Sequence, residues 1–211
     1  MRRALVLLLF AACIPDFGDR ESLVTAPRVI AVVADPPDVK PGTTPVSFRA
    51  LIVSPDGAVT TTPSLAFCTT PKLLTENGPV SAECLGDGAT PFAGAAPVPA
   101  DACAIFGPET PPGGLRPRDP DVTGGFFQPV RVSVSPAGTT AFAFERIVCN
   151  LANAPADAAN AMAKTYVPNA NPQLLPLEAH ADDGTPVPLD AIAHGARVVL
   201  RASWPAASAE S

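Results

Sequence analysis

Twenty-seven prolines are spread through these 211 residues, and no other feature restricts the fold so strongly. Each proline removes a backbone N–H and bars the α conformation from the residue before it, so a helical bundle is excluded. Fifteen glycines bring Pro plus Gly to about a fifth of the chain, yet 47% of the residues are hydrophobic. That suffices to enclose about one full domain and part of another. A net charge of −6, with no Lys/Arg cluster beyond Arg2 and Arg3, argues against a nucleic-acid partner, whose phosphates demand a basic surface.

Short strands punctuated by turns are what such a chain can build. Arg28 to Ala34 is β-branched and apolar and ends in Asp35-Pro36-Pro37, which marks a first strand. Val46, Phe48, Ala50 and Ile52 alternate with Ser47, Arg49, Leu51 and Val53, the period of two expected of a strand with one apolar face. Ser54-Pro55-Asp56-Gly57 supplies a tight turn, in which Pro sets φ and Gly takes positive φ. Ala58 to Thr62 and Ser64 to Cys68 then read as the return strand, with Pro63 marking an edge or a bulge. Further strands are expected over Val80 to Leu85, Phe127 to Ser135 and Ala141 to Cys149, the last two joined by Pro136-Ala137-Gly138.

The fold class is therefore all-β, an immunoglobulin-like β-sandwich over residues 27–168. Residues 86–125, rich in Pro, Gly and Asp, read as a long irregular insertion pinned by Cys103, and as the first candidate for recognising a partner. One short helix is expected from Asn153 to Lys164, packed on one end of the sandwich. Asn153 serves as its cap, Pro155 and Asp157 suit the first turn, and Lys164 suits the last. Phe126, Phe127, Phe142, Phe144 and Trp204 are read as core, because all but Phe126 fall at alternating strand positions.

Asn169-Ala170-Asn171-Pro172 reads as a joint, and the residues beyond it echo the start of the first domain. Pro27 to Val32 has a counterpart in Pro172 to Leu177. Gly42 precedes Val46-Ser47-Phe48-Arg49-Ala50 as Gly195 precedes Val198-Val199-Leu200-Arg201-Ala202. Residues 169–211 thus either complete the first domain's sheets or open a second, truncated β-domain, and the repeat favours the second.

The amino terminus carries an address. Met1-Arg2-Arg3 precedes nine apolar residues, Ala4 to Ala12, and then Cys13. Nine helical residues rise only about 14 Å against a hydrocarbon core of about 30 Å, so the run is the apolar part of a signal peptide, residues 1–12, and not a membrane span. Residues 13–26 are polar and mixed and suit a tether. Removing residues 1–12 takes away Arg2 and Arg3 and lowers the net charge to −8. Apart from Cys13, the cysteines are Cys68, Cys84, Cys103 and Cys149, an even number that implies two disulfides in an exported chain. Of the three pairings, Cys68 with Cys84 and Cys103 with Cys149 is preferred, because the first closes a short loop bearing Pro and Gly. A zinc site is the weaker reading, since no two of these cysteines stand two to four residues apart.

Ala11-Ala12 ahead of Cys13 resembles a bacterial lipobox, with Phe10 in place of the usual Leu. That resemblance implies acylation of Cys13, a membrane anchor of two or three chains. Ile14, where an Asp would signal retention at the inner membrane, then implies the outer membrane. The run Ala26-Pro27-Arg28-Val29-Ile30-Ala31-Val32, with Asp35-Pro36 and Pro41-Gly42, resembles the opening of predicted outer-membrane lipoproteins abundant in myxobacteria. Cys68-Thr69-Thr70-Pro71, Asp119 to Phe126, Phe144-Glu145-Arg146 to Leu151 and Asn169 to Pro172 extend the likeness over nearly all of the chain. The resemblance implies an exported lipoprotein with immunoglobulin-like domains that continues beyond a point like Ser211, and it implies no activity.

Catalytic motifs are sparse. No Gly-x-Ser-x-Gly elbow, EF-hand loop, Walker loop or dinucleotide fingerprint occurs. Asp119 and Asp121 offer hard oxygens to calcium, but a single Asp-x-Asp pair is feeble evidence. His180 and His194 are the two imidazoles, and His180 stands beside Asp182-Asp183-Gly184, which reads as a turn before it reads as a site. No metal, cofactor or catalytic residue is therefore assigned. The expected function is a non-enzymatic binding or structural role in the envelope, through a protein or glycan partner. The alternative is a secreted or periplasmic hydrolase using His180 or His194.

Overall fold

A computed structural model describes residues 23–73, 75–108, 125–135, 139–151 and 154–206. Cys13, Asp119, Asp121, Asn153 and the Pro136-Ala137-Gly138 turn lie outside those residues. Within them the chain is an all-β sandwich. One sheet holds β1 (Arg28–Asp35), β3 (Pro45–Ser54) and β4 (Gly57–Val59), with β7 (Ala96–Pro97) pairing at the start of β3. The facing sheet runs β2 (Asp38–Val39), β9 (Thr139–Ile147), β8 (Phe126–Val134), β5 (Ser64–Cys68), β6 (Ala89–Phe92). The chain pairs β1 with β3, then crosses to pair β2 in parallel with β9, so it passes from one sheet to the other near its start.

Alternation explains the core. Val46 and Ile52 of β3, Phe67 of β5, Val130 and Val132 of β8 and Ile147 of β9 point inward and are buried. Phe67 stacks on Phe92 at 4.1 Å between ring centroids, and Phe48 meets Phe67 edge-on across the two sheets at 6.3 Å. Ser54 pairs with Gly57 around a two-residue turn, and Gly57 has φ of +117°, a conformation that favours glycine.

Residues 58–68 do not form one return strand. β4 ends at Val59, and after Pro63 the chain resumes as β5 in the other sheet, so that proline marks a change of sheet. Residues 82–85 form a 3₁₀ turn and not a strand: Ser81 accepts from the Glu83 N–H, and Cys84 N donates to Ser81 O at 3.0 Å. The expected irregular insertion over 86–125 is also corrected. It contains β6, β7 and a five-residue helix, α1 (Ala102–Phe106), while 109–124 lie outside the described residues. β6 is an edge strand and β7 pairs through Pro45 and Val46 alone, so Pro91 and Pro97 cost few ladder bonds there.

The expected helix is α2 (Ala156–Thr165), which begins after Pro155 and carries no buried side chain. With α1 there are two helices among the described residues, not one. The carboxyl-terminal part forms a separate three-stranded sheet, β11 (Pro186–Val187), β10 (Glu178–His180), β12 (Val199–Arg201), which shares no ladder with the sandwich. Pro172 to Leu177, the expected counterpart of the first strand, is not a strand, and the first strand of this part begins at Glu178; Leu175 N donates to Ser203 O at 2.9 Å.

Two disulfides brace the sandwich in the preferred pairing, Cys68–Cys84 and Cys103–Cys149. The first sits in a small cluster with Val80 on the outer side of the larger sheet, where Phe142 packs against it. There Arg131 Nη1 donates to Cys84 O at 2.7 Å and Gly86 O at 3.0 Å. The second ties α1 to the residues just beyond β9. The separations are 16 and 46 residues, for which loop-closure entropy gives about 3 and about 4 kcal/mol. Replacing each pair by serine should lower the unfolding free energy in urea by about those amounts, with the Cys103–Cys149 loss the larger.

Candidate functional site

Both disulfides mark a chain of an oxidising compartment, extracellular or periplasmic and not cytoplasmic. Among the described residues no helix is long and apolar enough to cross a membrane.

The two histidines are placed differently. His194 lies in a turn of the carboxyl-terminal part and is exposed, whereas His180 ends β10 with its side chain only 13% exposed. The residues after it do form a turn. Gly184 N donates to Ala181 O, Ala181 N donates to Thr185 O, and Thr185 N donates to Asp183 Oδ1. The Thr185 backbone N–H, and then its hydroxyl, hold the Asp183 carboxyl below its ordinary value. Asp182 faces Arg197 at 3.7 Å and not His180. The His180 ring contacts Gly184 O through Nδ1 at 3.1 Å and Glu178 Oε2 through Nε2 at 3.3 Å. It lines an open cleft of about 600 Å³ with Leu177, Glu178, Val187, Leu189 and Asp190. Among the described residues no Ser, Thr or Cys lines that cleft, so no hydroxyl or thiol nucleophile stands beside His180 there. Among the described residues no group of three or more His, Cys, Asp or Glu is assembled for a metal ion.

A second polar cluster is not anticipated by any motif. Gln128 of β8 and Glu145 of β9 stand directly opposite each other on the inner face, both with no exposed surface. Asp38 of β2, also buried, pairs in register with Arg146, the residue after Glu145. Gln128 Nε2 donates to Cys68 O at 2.8 Å and Pro129 O at 2.9 Å. Asp38 Oδ2 accepts from the Tyr166 hydroxyl and from Asn169 through its backbone N at 3.3 Å and Nδ2 at 3.2 Å. Asn171 Nδ2 donates to Ala34 O at 2.6 Å, so the segment after α2 is lashed to the crossing from β1 to β2.

Among the described residues, four oxygens of this cluster meet no hydrogen-bond partner: Asp38 Oδ1, Gln128 Oε1 and both of Glu145. Desolvation, and then the negative charge of Asp38, push the Glu145 carboxyl up to about 8. Glu145 therefore retains a proton near neutrality, which turns one oxygen into a donor among acceptors. Burial, and then the bond to Asp38, push the Tyr166 hydroxyl up to about 12, so it stays a donor. A signal is present in the pattern: Gln128 and Glu145 occupy inward positions whose neighbours on the same face of their strands, Phe126, Val130, Ala143 and Ile147, are apolar.

The aromatic side chains assigned to the core divide. Phe126 is buried, and Phe142 is half-buried against the Cys68–Cys84 cluster. Phe127 (41% exposed), Phe144 (47%) and Trp204 (53%) face outward, which corrects the core reading. β8 begins one residue earlier than expected, at Phe126, and that residue takes the inward position. Comparison of the chain with protein-family models, with curated proteins and with solved structures gives no match.

Glu145 makes a pH prediction with a definite sign. Its ordinary value is 4.5 and its folded value about 8, so its stabilising contribution is complete below pH 4.5 and is lost as pH rises to about 8. Glu145→Gln should abolish that part of the decline. In urea unfolding, variant and wild type should match near pH 4.5, and the variant should be more stable by a few kcal/mol, to order of magnitude, at pH 9.

Proposed function

We propose that this chain is a lipid-anchored envelope protein with a non-enzymatic, binding or structural role at the outer membrane. The carrying observation is the use of its cysteines. Cys68, Cys84, Cys103 and Cys149 are consumed by two internal bridges, which leaves Cys13, directly after the apolar run Ala4 to Ala12, as the cysteine outside them. A thiol in that position is the acceptor a lipoprotein-processing system requires, and two or more acyl chains hold a protein durably on a bilayer. The resemblance to myxobacterial outer-membrane lipoproteins supports the same reading.

A binding or spacing role fits the rest of the chain. The sandwich interior is filled by side chains. Exposed Phe127 and Phe144 on the outer face of β8 and β9 give a protein or glycan partner an aromatic surface to meet.

Expressed with its own amino terminus in a bacterium competent for lipoprotein processing, the protein should sediment with outer membranes, and mass spectrometry should find diacylglyceryl-Cys13 at the new terminus. Cys13→Ser should move it to the soluble fraction with both disulfides intact. An unprocessed Met1 in the wild type, or an unchanged membrane fraction for the variant, overturns the proposal.

A further inference from the structure

The carboxyl-terminal sheet carries an inference independent of the anchor. Strands of two or three residues hold together only when an apolar face of their sheet is packed on something. This sheet shares no ladder with the sandwich, and among the described residues from 172 to 206 Ala179 alone is buried. Leu175, Leu177, Leu189, Leu200 and Trp204 are instead 44–56% exposed. The register sorts the sheet into two unlike faces. Ala179 stands opposite Leu200 in one ladder and Val187 in the other, so these three share a face, which Leu177, two residues before Ala179, joins. Leu189 lines the same cleft as Leu177, Ala179 and Val187. Glu178, His180 and Arg201 fall on the opposite face, and the apolar face has no charged residue at any ladder position. The bond from Leu175 N to Ser203 O sets Leu175 and Trp204 together at the end of the sheet.

From this pattern we propose that the apolar face is the contact between two copies of this chain, packed sheet against sheet. The exposed half of a large apolar side chain is about 100 Å², so these five residues leave about 500 Å² of apolar surface per copy. A standard interface buries about 800 Å² per partner, of which about 60% is apolar, and the two figures agree. A second copy suits the face for a further reason. An uncharged apolar surface meets its own image without burying a charge, and a two-fold axis makes the contact isologous. The product is a six-stranded sandwich with its sheets about 10 Å apart, the means by which the larger sheet of the first domain covers the inward residues of β3.

The test uses the full chain carrying Cys13→Ser, purified from the soluble fraction, so that no acyl group contributes to association. Light scattering at about 100 µM should give about twice the mass of one chain, with Kd on the order of 10 µM. Trp204 is the only tryptophan, and its emission should shift to the red on dilution through that range, as the ring is uncovered. Leu200→Asp and Leu177→Asp, each at an exposed position, should raise Kd by about 10-fold or more. Val199→Asp, beside Leu200 in β12 but on the opposite face, and Phe144→Ser, on the outer face of the sandwich, should leave Kd unchanged. Val199 is about as exposed as Leu200, so its variant separates a lost contact from a lost sheet. A monomer at every concentration, whether its Trp204 stays open to another partner or is covered by the chain itself, overturns the proposal, and so do equal effects of Val199→Asp and Leu200→Asp.

Discussion

The sandwich depends on one crossing. Within three residues of the end of β1, the chain leaves the smaller sheet and lays Asp38 and Val39 alongside β9 in the larger one. Val39 is buried there beside Ile147, and its carbonyl accepts from Val148 N at 2.9 Å. By belonging to both sheets, the first strand fixes their spacing and relative position, and the inward residues of β3, β5, β8 and β9 can then meet. The two disulfides act outside this crossing, one over the outer face of the larger sheet and one at the end of β9.

The crossing also creates the oddest chemistry in the molecule. Asp38 is carried into a place where water cannot solvate it, and its charge reaches Glu145. One carboxylate is compensated by donors from Tyr166 and Asn169, while the other holds a proton. Burying ionisable groups in this way is costly unless they are paired and hydrogen-bonded. Here they attach the segment after α2 to the first crossing, and through it the carboxyl-terminal sheet to the sandwich.

How much of this is legible from residue order depends on length and on contrast. β1, β3, β8 and β9 each span eight to ten residues, enough for alternation to show. β6 and β7, at four and two residues, are too short to display a period, so the Pro- and Gly-rich stretch that contains them resembles an irregular loop. Val80 to Leu85 has the apolar character of a strand, but Ser81 and the Cys68–Cys84 bridge wind it into a turn. The disulfide pairing is readable from loop length. Phe127 and Phe144 mislead because alternation does not say which set of positions faces inward, and with Gln128 and Glu145 inward the same alternation places both aromatics outside. The His180 contacts cannot be read at all, since they depend on a carbonyl and a carboxylate that chain order alone does not aim.

The parallel pairing of β2 with β9 has a mechanical consequence. β2 follows β1 at the start of the sandwich, β9 is its last strand, and the two run in the same direction. If the amino end is held and the carboxyl end is pulled, the tension drags them past each other lengthwise, so their ladder is sheared as a whole and not unzipped bond by bond.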